Sequence, residues 1–205
     1  TDAGPREAFA HEFFPRSYSL MSLSLSVSWM LRFISYLRHK VTRFQAPSPP
    51  LGIITPDEIQ EANRQIIRLT QYAYYEDVFK TIRNANVLPR RHPFSKLNVV
   101  LIDGLLRIGG RLHRAPIDYD TRHPLVLPAQ SHFMRLKIWE VHKKFAHASV
   151  QQVMNEIRTE YWAPGLLRVI KSIIHHCIPC QRFSARPQEQ IMSDLPLSRL
   201  DTTKP

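Results

Sequence analysis

The sequence predicts a mostly α-helical protein with one small β unit. Apolar residues recur at helical spacing in an N-terminal stretch, in the segment after Thr55 and again from Ser131 onward. Between these segments, residues 97–128 are rich in β-prone side chains and contain the turn signal Asp103-Gly104. Hydrophobic residues make up 43% of the 205 residues, which is enough for a folded core and excludes a wholly disordered chain.

The N-terminal apolar stretch, residues 18–37, is predicted to be a buried helix. Its large apolar residues fall at steps of one and three, as on one helical face: Trp29, Met30, Phe33, Ile34 and Leu37. Only 15 uncharged residues separate Arg16 from Arg32, and serines interrupt them, whereas a membrane-spanning helix needs about 20 mostly apolar residues. Charged residues before the stretch argue against a signal peptide. We therefore expect neither a membrane anchor nor secretion.

A proline-rich linker is predicted at residues 46–50, and a long amphipathic helix is predicted after it at residues 56–83. Thr55 can cap this helix, Pro56 suits its first position, and Glu58 would complete a capping box. Its apolar face is expected at Ile59, Ala62, Ile66, Leu69 and Ala73. Prolines at both ends of residues 89–93 predict a second break.

Residues 97–128 are predicted to form the β unit. Asp103-Gly104 lies between two β-prone runs and so predicts a two-residue hairpin turn. Gly109-Gly110 indicates a bulge or a second turn; no Gly-Lys-Ser/Thr follows it, so it is not a phosphate-binding loop. Residues 123–128 are predicted to be a third short strand between prolines.

Three short helices are predicted between residues 131 and 186, the second of them capped by Ser149. Each has one apolar stripe: Phe133, Leu136, Trp139, His142 and Phe145 on the first; Val150, Val153, Ile157 and Tyr161 on the second; Leu166, Val169, Ile170, Ile173 and Cys177 on the third. A unit of this size is marginally stable on its own core and usually needs a staple such as a metal ion.

A metal site is predicted within this helical unit. The sequence reads His142-x4-His147-x29-Cys177-x2-Cys180, and zinc prefers four tetrahedral nitrogen and sulfur ligands. Five residues along one helix rotate two side chains apart by about 140°. One histidine is therefore expected at the end of the first helix and the other in the turn beyond. With all four positions taken by protein, the zinc would be structural, and its binding would be coupled to folding.

Two alternatives remain for this cluster. His175 and His176 lie next to Cys177 and could compete as ligands. Cys177-Ile-Pro-Cys180 could also be a redox pair, although it ends an amphipathic helix, whereas thioredoxin-like pairs open one. The chain has only these two cysteines, which excludes a disulfide framework and fits a reducing nuclear or cytoplasmic compartment.

The four-residue pattern resembles the HHCC (H2C2) zinc-binding domain of retroviral and retrotransposon integrases. The resemblance continues from Tyr161-Trp162-x-Pro164 through the third helix to Cys177-x2-Cys180-Gln-Arg182. Residues 103–112, 123–128 and 193–199 resemble the Pol polyprotein of Pao/BEL-type LTR retrotransposons, and residues 29–34 and 55–59 resemble its connector between RNase H and integrase. The family often has a glycine soon after the second histidine, where this chain has Ala148-Ser149.

The resemblance implies an integrase zinc-binding module with one structural Zn²⁺ at His142, His147, Cys177 and Cys180. In the family an Asp, Asp, Glu catalytic core follows this domain, whereas here Asp194 and Asp201 remain without a later Glu. We therefore expect no strand-transfer activity from this chain alone. The implied partners are DNA, either element ends or target, and further integrase copies, with no membrane and no small-molecule substrate. The alternative function is a domesticated, zinc-stabilised protein-interaction module without a DNA role.

The charge of the chain favours an anionic partner, because 28 Lys and Arg against 17 Asp and Glu leave a net charge of +11. Residues 131–186 contain nine Lys or Arg and three Glu, a net charge of +6. The predicted nucleic-acid contacts are Lys143, Lys144, Arg168, Lys171 and Arg182. Phosphate contacts of this kind depend on salt and are mostly blind to sequence.

The predicted organisation has five segments. They are a connector with a buried-type helix (1–50), an amphipathic helix with a linker (51–96), a small β unit (97–130), the HHCC zinc-binding helical domain (131–186), and a tail leading to an absent catalytic core (187–205).

Overall fold

The computed structural model describes residues 19–42, 52–85, 88, 94–109, 115–116, 118–186 and 192–200. Over these residues the protein is mostly helical and has one small sheet, as the sequence predicts, but the sheet has four strands rather than the predicted three. The predicted breaks at 46–50 and 89–93, together with Gly110 and Asp201, lie outside the described residues.

The elements follow one another in this order: α1 (Leu20–Val41), α2 (Pro56–Tyr74), α3 (Glu76–Ala85), β1 (Val99–Ile102), β2 (Leu105–Ile108), α4 (Tyr119–Arg122), β3 (Leu125–Val126), α5 (His132–Lys144), α6 (Val150–Glu160), β4 (Tyr161–Trp162), α7 (Leu166–His175), α8 (Ile178–Ser184) and α9 (Leu197–Leu200).

The prediction that α1 buries its large apolar residues is wrong. Leu20, Leu23, Ser24 and Ser28 are buried against the rest of the protein. The predicted face is instead exposed: Trp29, Met30, Phe33, Ile34 and Leu37.

By length and composition α1 could cross a membrane, with a mean hydropathy of 1.3 over its apolar window. Core helices of soluble proteins and signal sequences can have the same length and hydropathy, so these two properties do not by themselves identify a membrane span. In this protein 28% of the window is buried.

The helix predicted at residues 56–83 is divided into α2 and α3 at Tyr75. Its start is as predicted, because Thr55 and Glu58 form a complete capping box. The predicted apolar face is partly wrong, since Leu69 is exposed. Both helices contact the sheet, α2 through Gln71 and α3 through Val78 and Phe79. Phe79 of α3 packs in a cluster with the sheet, while its ring stacks on Tyr72 of α2 across the break.

The sheet has the strand order β1-β2-β3-β4. The predicted hairpin is confirmed: Ile102 pairs with Leu105, and both turn residues have positive φ, 52° at Asp103 and 74° at Gly104. β3 is antiparallel to β2, whereas β4 is parallel to β3 and was not predicted. Gly109 closes the hairpin, because its N–H donates to the Asn98 carbonyl and a Cβ there would lie 2.9 Å from that oxygen.

Gln71 joins α2 to the sheet. Its side chain is fully buried, and its amide nitrogen donates to the carbonyl oxygens of Leu106 and Val126 at 2.9 and 2.8 Å. Its amide oxygen accepts from the Leu106 N–H at 2.8 Å. This side chain therefore satisfies backbone groups of two strands that apolar residues surround.

Residues 131–186 share a core with the connector helices. One cluster of buried residues includes Leu23 of α1 and Ile66 of α2 together with Phe133, Ile157 and Ile170 of the helical segment. That segment contains four helices, α5 to α8, rather than the predicted three, and also contributes β4 to the sheet. The additional helix, α8, is the element that carries Cys180.

Candidate metal centre

The end of α5 places the two histidines side by side. The N–H of Ala146 donates to the carbonyl of Lys143, and the N–H of His147 donates to the carbonyl of His142 at 2.8 Å. This pair of bonds is a Schellman motif, in which the residue two positions past the cap packs against the last turn. Ala146 and His147 take positive φ values of 50° and 64° to make it. His147 therefore lies in the turn beyond the helix that holds His142, as the spacing predicts.

The cysteines come from the turn between α7 and α8. Cys177 is fully buried and precedes α8 as its N-cap residue, and Cys180 lies in the first turn of α8. Pro179 suits the start of a helix, because its missing N–H would have no partner there. The side-chain amide nitrogen of Gln181, Nε2, donates to the His175 carbonyl at 2.6 Å, which holds α8 against the end of α7.

Four side-chain atoms converge at this point. His147 Nδ1 lies 3.1 Å from His142 Nε2 and 3.2 Å from Cys177 Sγ, and Cys180 Sγ lies 3.3 Å from His142 Nε2. All four atoms lie within 4.8 Å of one another. Zinc bonds of about 2.1 Å to nitrogen and 2.3 Å to sulfur place tetrahedral ligands about 3.4–3.8 Å apart. The cluster therefore fits one zinc ion with four protein ligands.

The ring of His142 is oriented by the backbone. Its Nδ1 lies 3.1 Å from the Ala148 carbonyl oxygen, which can only accept, so Nδ1 carries the hydrogen and Nε2 keeps its lone pair for a metal. Burial lowers the pKa of His142; the hydrogen bond to Ala148 opposes this shift, and the charge of His147 adds to it. The neutral form that a metal needs is therefore favoured.

The cysteine pair must lose protons to bind a metal ion. Burial raises the pKa of the Cys180 thiol, and the neighbouring Cys177 raises it further. Because zinc binds thiolates, binding here would displace the protons and couple affinity to pH. Both thiols are free in this protein, as a metal role requires.

His175 and His176 lie outside the cluster. Both are exposed, and His176 Nδ1 lies 2.7 Å from the carbonyl oxygen of Ser172 in the preceding turn. The group of potential ligands contains only His142, His147 and the two cysteines among the residues that the structure describes. In this arrangement neither His175 nor His176 competes for a ligand position.

Residues 131–186 match the family model of the integrase zinc binding domain. The match contains all four ligands, so the predicted HHCC zinc-binding domain is confirmed, with His142, His147, Cys177 and Cys180 positioned to hold one metal ion. It covers 56 of the 205 residues and leaves α1 to α4 and the first three strands outside. No curated protein and no solved structure matches the chain.

The structure divides the five predicted nucleic-acid contacts into two groups. Lys144 pairs with Glu156 at 3.4 Å, and Lys143 lies 5.0 Å from the centre of the Trp139 ring. These two lysines line a groove of mixed charge together with Lys137, Val141, Glu140, Glu156 and Glu160. Arg168, Lys171 and Arg182 lie on α7 and α8 instead. All three are exposed, and none forms an ion pair with an acidic side chain of the described residues.

Sequence reasoning did not find two features of the site. The Ala148 carbonyl that orients His142 belongs to the backbone, and no side-chain type marks it. The left-handed conformation of Ala146 is also hidden, because glycine or asparagine is the usual signal for it. The Ala148-Ser149 step, where the family often has glycine, is compatible with the site, since the residues with positive φ come before it.

Proposed function

We propose that the chain is the zinc-binding part of a Pao/BEL-type retrotransposon integrase, and that it binds nucleic acid and supports integrase assembly in DNA integration. The integrase zinc binding domain at residues 131–186 supports the general role. The resemblance of the flanking segments to a Pol polyprotein supports the lineage. The free thiols of Cys177 and Cys180 support a nuclear or cytoplasmic location.

The role proposed for the metal is structural. All four tetrahedral positions are filled by protein side chains, so a bound ion would have no open position for water or phosphate. An integrase-type reaction needs divalent ions that touch the reacting phosphate. We therefore propose that these residues do not carry out strand transfer themselves and contribute binding and folding instead.

The observation that carries the proposed nucleic-acid role is the exposed positive charge on α7 and α8, which forms no ion pair with any acidic residue in the described part of the chain. Arg168 and Lys171 are three residues apart on α7, so they lie on neighbouring positions of one helical face. That face is exposed, while Leu166 and Ile170 on the opposite side are buried. Arg182 of α8 adds a third exposed cation. Such side chains can reach phosphates without first breaking an ion pair.

Lys143 and Lys144 are weaker candidates for the same role. Lys144 would have to leave Glu156, and Glu140 and Glu160 keep the surrounding groove mixed in charge. Phosphate approaching this groove would meet three carboxylates as well as the lysines. The pair therefore serves as a matched control for Arg168 and Lys171.

Fluorescence anisotropy with labelled duplex DNA at graded salt tests this function. The zinc-loaded chain is expected to bind at low salt and to lose affinity as salt rises. The variant Arg168→Gln/Lys171→Gln/Arg182→Gln should bind about tenfold or more weakly, and its salt dependence should fall by about 0.9 in slope for each lost phosphate contact. Lys143→Gln/Lys144→Gln should change binding by less than about twofold.

Absence of binding at low salt by a zinc-loaded chain would overturn the nucleic-acid role and leave the protein-interaction alternative. A stronger effect of the Lys143 and Lys144 changes would instead move the contact surface to the mixed-charge groove. Sedimentation of the zinc-loaded chain with and without DNA tests the assembly role, for which an increase in mass beyond one chain is expected.

A further inference from the structure

α1 joins the core through Leu20 and Leu23 in its first turns, whereas polar side chains make its contacts to α2 farther along the helix. On the inner side of α1, Ser24 Oγ donates to Asn63 Oδ1 at 2.6 Å, and Ser28 Oγ donates to the Glu58 carbonyl at 3.3 Å. Arg32 binds the Glu58 carboxylate at 2.6 Å. Helices of soluble proteins normally turn their apolar stripe toward the core and their polar side toward water. The second half of α1 does the opposite.

The outer side of α1 is an apolar face. We call it the α1 face and define it by Trp29, Met30, Phe33, Ile34, Tyr36, Leu37 and Val41. These residues are 40–81% exposed. At 100° per residue they span a sector about 160° wide, and only Lys40 interrupts it, in the last turn. Scattered exposed apolar residues are ordinary, but a contiguous face of several hundred Å² marks a binding surface.

The chemistry of the α1 face favours lipid over a protein groove. Among its side chains only the Trp29 indole and the Tyr36 hydroxyl can form hydrogen bonds, and the Lys40 ammonium beside them is the one further donor in this sector. Protein interfaces form about one hydrogen bond for every 100–200 Å² and place polar groups around an apolar centre. A smooth convex apolar helix bordered by Trp and Tyr is instead typical of a helix that lies in the headgroup region of a bilayer.

The charges beside the α1 face select an anionic surface. The helix contains no Asp or Glu, and Arg38, His39 and Lys40 occupy its last turn. The negative charge of Glu58 on the inner side is offset by Arg32, so it does not oppose contact with an anionic surface. A second copy of this chain would bring the same positive charges to the contact.

We propose that α1 lies along the surface of an anionic lipid bilayer, with Trp29, Phe33 and Leu37 inserted among the headgroups. The helix lies on the membrane and does not cross it, because its inner side is joined to α2 by the Arg32–Glu58 ion pair and the serine hydrogen bonds. This proposal goes beyond the proposed integrase role and differs from the sequence-based expectation of no membrane partner.

Vesicle co-sedimentation of the full zinc-loaded chain tests the proposal. Vesicles of phosphatidylcholine mixed with phosphatidylserine should bind the chain. Vesicles of phosphatidylcholine alone should bind it with an affinity at least about tenfold lower. The variant Phe33→Ser/Leu37→Ser should lose about tenfold or more of the binding to the mixed vesicles, because it removes two inserted side chains. Arg38→Gln/Lys40→Gln should lose the preference for phosphatidylserine and keep weak binding to both.

Phe183→Ser/Leu167→Ser is the matched control, because it makes the same chemical changes at exposed residues of α8 and α7. It should bind the mixed vesicles like the unchanged chain. Circular dichroism checks that both double variants keep their helices. Failure of the chain to bind mixed vesicles, or an equal loss in the control, would overturn the proposal. So would a chain that ignores vesicles but self-associates through Phe33 and Leu37, which would identify a second copy as the partner.

Discussion

Helices α1 and α7 both have large apolar residues on one side, but these residues are buried in α7 and exposed in the second half of α1. In α7, Leu166 and Ile170 enter the core and the basic residues Arg168 and Lys171 face outward. In the second half of α1, Arg32 faces inward and the large apolar residues face outward. Periodicity therefore identifies a helix and its apolar side, but the neighbouring elements decide whether that side is covered. For α7 these neighbours are α5 and α6, because Leu166 and Ile170 belong to the same core cluster as the buried residues of those two helices.

The largest expected effect is the loss of the α7 arrangement when zinc is removed. Structural zinc contributes about 10 kcal/mol or more to small domains of this kind, far more than a typical single side chain. Hydrogen exchange should show the amides of α7 and α8 becoming unprotected after chelation. The exposed second half of α1 should change least. Equal loss of protection in both helices would remove the contrast between them.

Truncating a buried side chain of α7 should lower the free energy of unfolding much more than truncating a side chain of the α1 face. Ile170→Ala should lower the free energy of unfolding of the zinc-loaded chain by about 2–5 kcal/mol, because Ile170 is fully buried. Ile34→Ala, the matched change on α1, should alter it by less than about 1 kcal/mol because Ile34 is 41% exposed. Urea unfolding measures both, and similar losses would show that the α1 face is covered in solution.

The attachment of α1 should depend on pH through Glu58. The Arg32 hydrogen bond, followed by the Thr55 N–H, lowers the pKa of Glu58 to about 2. Because the folded pKa is depressed, the stabilisation is present above the ordinary carboxyl range near 4.3 and is lost as pH falls toward 2. Glu58→Gln should therefore be less stable than the unchanged chain at pH 7, and the gap should shrink below about pH 4. A gap that does not change with pH would mean that the carboxylate charge is not involved.

The smallest expected effect is a gain in stability at the zinc turn. Ala146 is exposed and has a φ of 50°, a conformation that costs a residue with a Cβ about 1 kcal/mol. Ala146→Gly should therefore raise the free energy of unfolding by about 0.5–1 kcal/mol, measured with zinc bound. Ala163→Gly is a comparison without a positive φ, and it should not stabilise the protein. Loss of stability in Ala146→Gly would contradict the Schellman geometry at the end of α5.

Local signals were enough to predict much of the fold and the metal site. Thr55 with Glu58 located the start of α2, and Asp103-Gly104 located the hairpin, because caps and turns depend on a few adjacent residues. The HHCC pattern named all four ligands, since zinc chemistry limits the residue types that can bind it. The rotation of a helix was enough to place His147 in the turn after α5.

Features that depend on distant contacts could not be predicted in this way. β4 has only two residues and exists because β3 lies beside it, so its sequence has no period to detect. No proline or glycine marks the break at Tyr75, and α3 after it packs Val78, Phe79 and Ile82 against the sheet. The pairing of Lys144 with Glu156 joins two helices, which a count of charges cannot show. The outward orientation of the α1 face was missed for the same reason, since polar partners on α2 hold its other side.

The central claim, a single structural zinc held by His142, His147 and the two cysteines, is tested most directly by native mass spectrometry of the purified chain. One zinc ion per chain is expected. His142→Ala/His147→Ala and Cys180→Ser should lose the ion, while His175→Ala, the matched control beside the site, should keep it. Retention of zinc by the double histidine variant, or its loss from His175→Ala, would contradict the assigned ligand set.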